Sequence, residues 1–320
     1  MGLSTIGVVG CGLMGSGIAE VLARGGCTVL VHETDTAAAT RGRDRIASSL
    51  RRAVSSGKLS QEAADAASAR IEIGTDLGTL APVQLCIEAV NEDEGTKIAL
   101  FGELDRVIER RDAILASNTS SVPIMKLATA TSRPQQVIGM HFFNPVPVLP
   151  LVELVPSLLT SDEVEATVRS LAEDLLGKTV IRSRDRAGFT VNALLVPYLL
   201  SAIRMVESGF ASSADIDAGM TNGCAHPVGP LRLTDLIGLD TVAAIASSMY
   251  SEFKEPLYSP PPMLLRMVEA GLLGRKSGRG FYQHGSGDEP PPADSGTACS
   301  SRSPVRTGLS SAPGLERARW

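Results

Sequence analysis

The stretch TIGVVGCGLMGSGIAEVLAR (5–24) decides the fold of this chain. Its first residues, TIGVV, form a short apolar run that is typical of a buried strand. We predict a helix over Leu13–Arg24, because it ends at the pair Gly25 and Gly26, and a second strand over 28–33. A strand, a glycine turn, a helix and a second strand make one βαβ unit, which implies a parallel sheet.

The turn between the first strand and the helix has the pattern G-x-G-x-x-G. Glycine is required there because the turn is tight, the backbone approaches a pyrophosphate and the helix packs on the strand. The pattern also occurs in other glycine-rich loops, but its place between a strand and a helix favours a dinucleotide site. The residues that we predict to bind the cofactor here are Gly10, Gly12, Leu13, Met14 and Gly15.

An acidic residue closes the second strand. Glu33 lies about 20 residues beyond the turn, where a carboxylate accepts hydrogen bonds from the ribose hydroxyls of a dinucleotide. A carboxylate there also repels the 2′-phosphate of NADP, so we predict NAD as the cofactor. Two alternatives remain for this position. Asp35 could be the acid that binds the ribose instead of Glu33, or Glu33 could be a solvated residue that binds no ligand.

Apolar and helical segments alternate through the first half of the chain. Residues 36–70 predict a helix, a break at Gly57 and a second helix that begins at Ser60. This alternation predicts a doubly wound, Rossmann-type α/β domain over residues 1–185. Further strands are predicted at 84–90, 113–116, 137–141, 151–155 and 179–181, with helices at 96–109 and 162–176.

Beyond the α/β domain the periodicity becomes helical. We predict an all-helical C-terminal domain over 186–284 and a disordered tail over 285–320, which is rich in Pro, Ser and Gly. The most apolar run, 189–206, contains Asn192 and Arg204, which would be costly inside a bilayer. A buried core helix is therefore favoured over a membrane span.

Composition argues against several classes of protein. The 320 residues have a net charge of -5 and no basic run, so a nucleic-acid partner is not expected. The apolar start has no basic leader, so we expect no secretory signal and a cytoplasmic protein. The cysteines show no C-x-x-C or Cys/His ligand spacing, so neither a metal site nor a disulfide framework is expected. They are Cys11, Cys27, Cys86, Cys224 and Cys299.

His141 is the histidine most suited to catalysis. It ends the apolar run VIGM and begins HFFNPVPV, so it lies near the carboxyl end of a strand, where open α/β sheets place their sites. Glu153 follows within LPLVELVP, and a carboxylate buried among such neighbours needs a partner. His141 across a short turn would be that partner, and the pair would fix the imidazole tautomer. An exposed glutamate on an edge strand is the alternative.

Seven segments in this order resemble the 3-hydroxyacyl-CoA dehydrogenase family, and most of all its bacterial 3-hydroxybutyryl-CoA dehydrogenases. The resemblance covers about residues 4–284. The segments are GCGLMGSGIAE (10–20), ASNTSS (116–121), HFFNPVPV (141–148), GFTVNALLVPYL (188–199), DIDAGM (215–220), HPVGPLRLTDLIGLDT (226–241) and GRKSGRGFY (274–282).

The resemblance implies an NAD-dependent oxidation of a short-chain (S)-3-hydroxyacyl-CoA to the 3-ketoacyl-CoA, and the reverse reaction. It implies that His141 is the acid/base, with Glu153 as its paired carboxylate. It further implies a homodimer formed through the C-terminal domain, and the apolar helix ALLVPYLLSAIRMV (193–206) agrees with this. The remaining residues that it implies are Ser120 and Asn192 at the substrate oxygen, and Glu92, Lys97 and Asn118 on the cofactor side.

Some positions depart from the family pattern. Ala193 stands where the family often has arginine, and PLVELVP (150–156) resembles the strand of the L-gulonate dehydrogenases and lambda-crystallins. That sister family usually has proline after its histidine, whereas Phe142 and Phe143 follow here. Two alternatives remain: a sister dehydrogenase of free hydroxy or sugar acids, and a former enzyme kept as a binding or structural protein.

Overall fold

An eight-stranded sheet forms the N-terminal part of the computed structural model, which describes residues 3–285. Its strand order is β3-β2-β1-β4-β5-β6-β7-β8. The strands are β1 (Thr5–Val9), β2 (Thr28–His32), β3 (Ile71–Gly74), β4 (Leu85–Glu88), β5 (Ile114–Ser117), β6 (Val137–Phe142), β7 (Leu151–Pro156) and β8 (Thr179–Arg182). The predicted doubly wound, Rossmann-type sheet is thereby confirmed.

The sheet is parallel from β3 to β6 and reverses direction at β7. Strand β7 pairs antiparallel with β6, and β8 runs parallel to β7. The connection over residues 143–150 holds no helix, and a parallel pair needs a crossover of a dozen residues or more. Because the connection is short, β7 runs antiparallel beside β6. Residues of the two strands therefore lie opposite each other as register partners.

Helices cover both faces of the sheet. Buried side chains of α1 such as Ile18 and Leu22 belong to one core cluster, and Phe101 and Leu104 of α4 belong to the other. A single helix was predicted over 162–176. The α-helix ends at Ser170, and a π-helical turn follows over Leu171–Leu175. The helices are α1 (Leu13–Arg24), α2 (Thr36–Ser55), α3 (Gln61–Ser68), α4 (Glu94–Val107), α5 (Ile124–Thr129) and α6 (Asp162–Ser170).

The C-terminal part is helical, as predicted. Its core contains Leu199, Leu231 and Met249, each fully buried. The helices are α7 (Val191–Glu207), α8 (Ser213–Gly223), α9 (Pro230–Ile237), α10 (Leu239–Phe253) and α11 (Pro262–Glu269). Helix α7 lies in the run that was predicted to be a buried core helix. This chain buries one side of it, including Leu199 and Leu200, and leaves Leu194 76% exposed.

The described chain up to His284 forms one compact unit. Except for Gly285, the tail predicted to be disordered lies outside the described residues. Within residues 3–285 no helix is both long and apolar enough to span a membrane, and no three potential metal ligands come together. The cysteines of this range are free, and Cys299 lies outside it.

Candidate active site

The glycine turn leaves room for a phosphate at the start of α1. Gly10 has a φ of 90°, and a Cβ there would meet the carbonyl oxygen of Ala89 at 2.8 Å. A Cβ on Gly15 would meet the Gly10 oxygen at 1.8 Å, so helix and turn pack without a side chain between them. Gly12 caps α1 and has open space around its own Cβ position. These residues fit a dinucleotide pyrophosphate at the helix N-terminus.

Glu33 lies at this turn. It follows β2, and its Oε1 accepts a hydrogen bond from the Cys11 N–H at 2.5 Å. Its Oε2 accepts from the Thr34 N–H at 3.1 Å. Asp35 instead bonds to α2, because its Oδ1 accepts from the Ala38 N–H at 2.7 Å and caps that helix. Glu33 thus contacts the glycine turn, whereas Asp35 contacts the start of α2. The geometry therefore favours Glu33 over Asp35 as the acid that meets a ribose.

A buried ion cluster lies at the carboxyl end of β4. Lys97, 1% exposed, places its Nζ 2.5 Å from Glu88 Oε1 and 3.2 Å from Glu92 Oε2. Ser117 donates its hydroxyl proton to the other oxygen of Glu88 at 2.6 Å. We therefore assign Lys97 to the support of Glu92. Direct contact of either side chain with the cofactor stays a prediction.

Glu92 in turn fixes the loop after β5. Its Oε1 accepts the N–H groups of Ser120 at 2.8 Å and Ser121 at 2.9 Å, and the hydroxyl of Thr119. Burial alone would raise the pKa of Glu92, but the charge of Lys97 and these hydrogen bonds hold it below its ordinary value. The Ser120 hydroxyl lies 3.3 Å from the same oxygen, so here it faces Glu92.

Asn118 connects this loop to β6. Its Oδ1 accepts a hydrogen bond from the Phe142 N–H at 2.9 Å, and its own N–H donates to the carbonyl of Glu88 at 2.8 Å. The carboxamide is thus held beside the strand end that carries His141. Its amide NH₂ remains available to a ligand.

His141 and Glu153 face each other across β6 and β7, where they are register partners. His141 Nδ1 lies 2.7 Å from Glu153 Oε2, and the two residues are 6% and 0% exposed. An exposed glutamate, the alternative interpretation, is therefore wrong. Because an ionised carboxylate can only accept, Nδ1 donates to it. In the neutral imidazole Nε2 then carries the lone pair, which suits a general base.

Glu153 is a stabilised carboxylate. Burial alone would raise its pKa, but the hydrogen bond and charge of His141 and the backbone amides of Val191 and Thr190 lower it below the ordinary value. Those amides belong to the start of α7, and the Ser183 hydroxyl also donates to Glu153 at 3.0 Å. Neither Ser183 nor Thr190 was predicted as a site residue. Thr190 lies in the segment 188–199 that resembles the family, but no role was assigned to it, and Ser183 lies in no such segment.

Two aromatic rings flank the imidazole. The ring centroid of Phe143 lies 4.5 Å from that of His141, and Phe189 approaches edge-on at 5.5 Å. Phe189 has a φ of 47°, an unfavourable conformation for a bulky residue. Asn192 lies in the first turn of α7 and is 7% exposed. Its side chain makes no hydrogen bond to the described residues.

A cavity of about 320 Å³ adjoins the glycine turn. It lies between α1, α2 and the loop over 144–147, which follows the His141 strand. Arg45 and Arg52 contribute positive charge to its wall, Glu20 and Asp44 contribute negative charge, and Ser48 and Ser49 contribute hydroxyls. The wall is therefore polar and carries charges of both signs.

Comparisons with known proteins agree along the described chain. Residues 5–186 match the family model described as 3-hydroxyacyl-CoA dehydrogenase, NAD binding domain. Residues 188–284 match the model of the C-terminal domain of the same family. The two matches together span the sheet and the helical part.

Individual relatives give the same result. The chain is 60% identical to a 3-hydroxybutyryl-CoA dehydrogenase of Mycobacterium tuberculosis over 282 residues, 88% of this chain and 99% of the relative. It is 38% identical to the human mitochondrial hydroxyacyl-coenzyme A dehydrogenase over 286 residues, 87% and 90% of the two chains. A solved (S)-3-hydroxybutyryl-CoA dehydrogenase from Ralstonia eutropha superposes with a TM-score of 0.83 at 43% identity, covering 89% of this chain and all of that one.

Proposed function

Because this chain belongs to the 3-hydroxyacyl-CoA dehydrogenase family and carries its NAD-binding domain, we propose that it interconverts short-chain (S)-3-hydroxyacyl-CoA and 3-ketoacyl-CoA with NAD. The observation that supports this most is the buried pair of His141 and Glu153. It lies near the carboxyl end of β6, the edge of the sheet at which the glycine turn leaves β1. A proton acceptor and a dinucleotide site at one edge suit the oxidation of an alcohol.

In the oxidative direction His141 removes the proton of the 3-hydroxyl through Nε2. Bound NAD supplies the nicotinamide that accepts the hydride from C3. Glu153 keeps the imidazole in the tautomer that can accept a proton, and then stabilises the imidazolium that forms. In the reductive direction the imidazolium returns its proton to the substrate oxygen.

Polar side chains around the imidazole would hold the substrate oxygen and the cofactor. We assign Asn192 and Ser120 to the oxygen, since the carboxamide of Asn192 has no hydrogen-bond partner among residues 3–285. The Ser120 hydroxyl would turn from Glu92 toward the substrate. Asn118 presents its amide to the nicotinamide side, with its own oxygen fixed by Phe142.

The cavity next to the glycine turn supports the assignment of an acyl-CoA. Arg45 and Arg52 provide charge for the phosphates of a coenzyme A, and the cavity wall at 144–147 continues from the strand of His141. Glu20 and Asp44 line the same cavity, so its charge alone does not select the thioester over the free acid. The thioester is favoured by the 60% identical relative, which is a 3-hydroxybutyryl-CoA dehydrogenase.

We further propose two domains, 1–185 for the cofactor and 186–284 for substrate and dimer contacts, in a cytoplasmic protein. A homodimer through the helical part is supported by exposed apolar side chains there. Leu194 is 76% exposed and Phe210 is 78% exposed. A second copy would remove these from water. Light scattering of the full chain distinguishes this dimer from a monomer.

The decisive experiment is NADH oxidation with 3-ketoacyl-CoA esters of increasing length, with the free acids and with NADPH. We expect turnover of acetoacetyl-CoA with NADH, decreasing as the acyl chain grows, and little rate with the free acids or NADPH. Turnover of the free acids alone would establish the sister activity. No turnover of any substrate would support a former enzyme kept as a binding protein.

A further inference from the structure

The carboxylate of Glu153 is held from two sides. Its Oε2 faces His141 Nδ1 at 2.7 Å. Its Oε1 accepts three hydrogen bonds, from the Ser183 hydroxyl at 3.0 Å and from the N–H groups of Thr190 at 3.0 Å and Val191 at 3.1 Å. The segment between β8 and α7 therefore fixes the oxygen that His141 leaves free.

The protons in this network can be ordered. The Ser183 and Thr190 hydroxyl oxygens lie 2.7 Å apart, and Ser183 is 2% exposed. An ionised carboxylate has no proton to give, so Ser183 uses its single proton on Glu153. Thr190 must then donate its hydroxyl proton to Ser183. The result is a directed chain in which each hydrogen bond polarises the next.

Most other charged groups near this segment are engaged elsewhere. Within residues 3–285, His141 is the titratable side chain that contacts Glu153. Of the other charged side chains of the segment and of α10, Asp240 pairs with Lys276, and the Arg184 side chain makes no hydrogen bond or ion pair with residues 3–285. The rest have their own partners. They are Arg182 with Glu165, Asp185 with the amides of Ile124 and Met125, Arg186 on the ring of Phe253, and Glu252 with the Ala187 amide.

We propose that Ser183 and Thr190 are positioning residues of the reaction: their hydroxyls orient Glu153 and, through it, the imidazole of His141. The inference rests on the proposed function, because it requires His141 to be the base. Asn192 lies on the same helix as Thr190. The start of α7 thus sets both the orientation of the base and the side chain assigned to the substrate oxygen.

Ser183→Ala tests the last hydroxyl of the chain. We expect kcat with acetoacetyl-CoA to fall about five- to tenfold, as for one lost hydrogen bond of ordinary strength, with the KM for NADH unchanged. A carboxylate with one donor fewer attracts the imidazolium proton more strongly. The acidic limb of kcat/KM for oxidation should therefore move up by about half a pH unit. A purely structural role would not move this limb.

Two further variants separate positioning from packing. Ser183→Thr keeps the hydroxyl, and we expect it to restore kcat to within about twofold of the parent. Thr190→Val alone should cost about twofold to threefold in kcat. Because Thr190 acts through Ser183, the double variant S183A/T190V should match Ser183→Ala.

Ser157→Ala is the matched control. Ser157 is 8% exposed and follows β7, but it bonds to Thr160 and the Leu159 amide. We expect it to keep the parent kcat and pH profile. If turnover of the parent depends on His141, two results overturn this inference alone. One is a Ser183→Ala variant with the parent kcat and pH profile, and the other is a double variant whose loss in kcat is the product of the two single losses. A parent whose turnover does not depend on His141 overturns the proposed function as well.

Discussion

Two buried carboxylates at the same edge of the sheet differ in the partner that each one has. Glu88 lies at the end of β4 and pairs with the ammonium of Lys97, whereas Glu153 pairs with the imidazole of His141. Both carboxylates are 0% exposed, and each accepts a serine hydroxyl, from Ser117 or Ser183. A lysine ammonium keeps its proton near neutral pH, but an imidazole can give and take one.

Burial of an acid does not by itself identify its chemistry. The cluster around Lys97 connects two loops through Glu92, and the Nζ of Lys97 is enclosed by carboxylates. The pair around His141 uses only Nδ1, so Nε2 is left for a substrate. The first cluster therefore builds the site, and the second one performs the proton transfer that we propose.

The largest expected effect is on turnover, and it concerns the pair of His141 and Glu153. His141→Ala should lower turnover of acetoacetyl-CoA by about two to four orders of magnitude, because the general base is lost. NADH binding, measured by fluorescence titration, should stay near the parent value, since the glycine turn and Glu33 are untouched. A variant that kept near-parent turnover would place the base elsewhere.

The second largest expected effect is on the stability of the fold, and it concerns the cluster of Lys97, Glu88 and Glu92. Lys97→Met removes the only cation that contacts Glu88 within the described chain, and it leaves a buried negative charge with no opposite charge beside it. We expect the free energy of unfolding to fall by about 3–5 kcal/mol. Denaturant unfolding followed by circular dichroism measures the change.

Lys126→Met is the control for that experiment. Lys126 pairs with Glu94 at 2.8 Å, but their side chains are 51% and 46% exposed. An exposed pair is worth about 1 kcal/mol or less, so the control should be nearly as stable as the parent. Equal losses in Lys97→Met and Lys126→Met would show that burial of the cluster has no energetic consequence.

The parts of this molecule that local chemistry determines could be predicted from the sequence. The bounds of β1 and α1 follow from an apolar run, a glycine turn and a glycine stop, and the structure reproduces them. The contact of His141 with Glu153 was predictable because a buried acid needs a partner and a short turn limits the choice. The roles of the site residues stay predictions.

Features that depend on distant residues could not be predicted. Strand β3 was missed, because IEIG (71–74) is only four residues long and gains its stability from pairing with β2. Helix α5 was missed for a similar reason, since its amides are capped by Asp185, 60 residues along the chain. Ser183 is an ordinary serine in the sequence, and only the fold places it against Glu153.

The smallest effect concerns acid stability and compares two carboxylates with different cations. The pKa values of Glu92 and Glu153 both lie below the ordinary value of 4.5 in the folded chain, because Lys97 and His141 and their hydrogen bonds outweigh burial. A carboxyl group whose pKa is lowered on folding stabilises the native state above its unfolded pKa. This contribution is lost as the pH falls through the folded value.

The free energy of unfolding should therefore be level near neutral pH and decline once the pH falls below 4.5. Each such group adds at most about 1.4 kcal/mol per pH unit to the slope. Glu92→Gln and Glu153→Gln should each make the decline shallower, because a glutamine has no proton to gain. Denaturant unfolding at a series of pH values measures these slopes. A slope in Glu92→Gln equal to that of the parent would show that the Lys97 cluster does not contribute to acid lability.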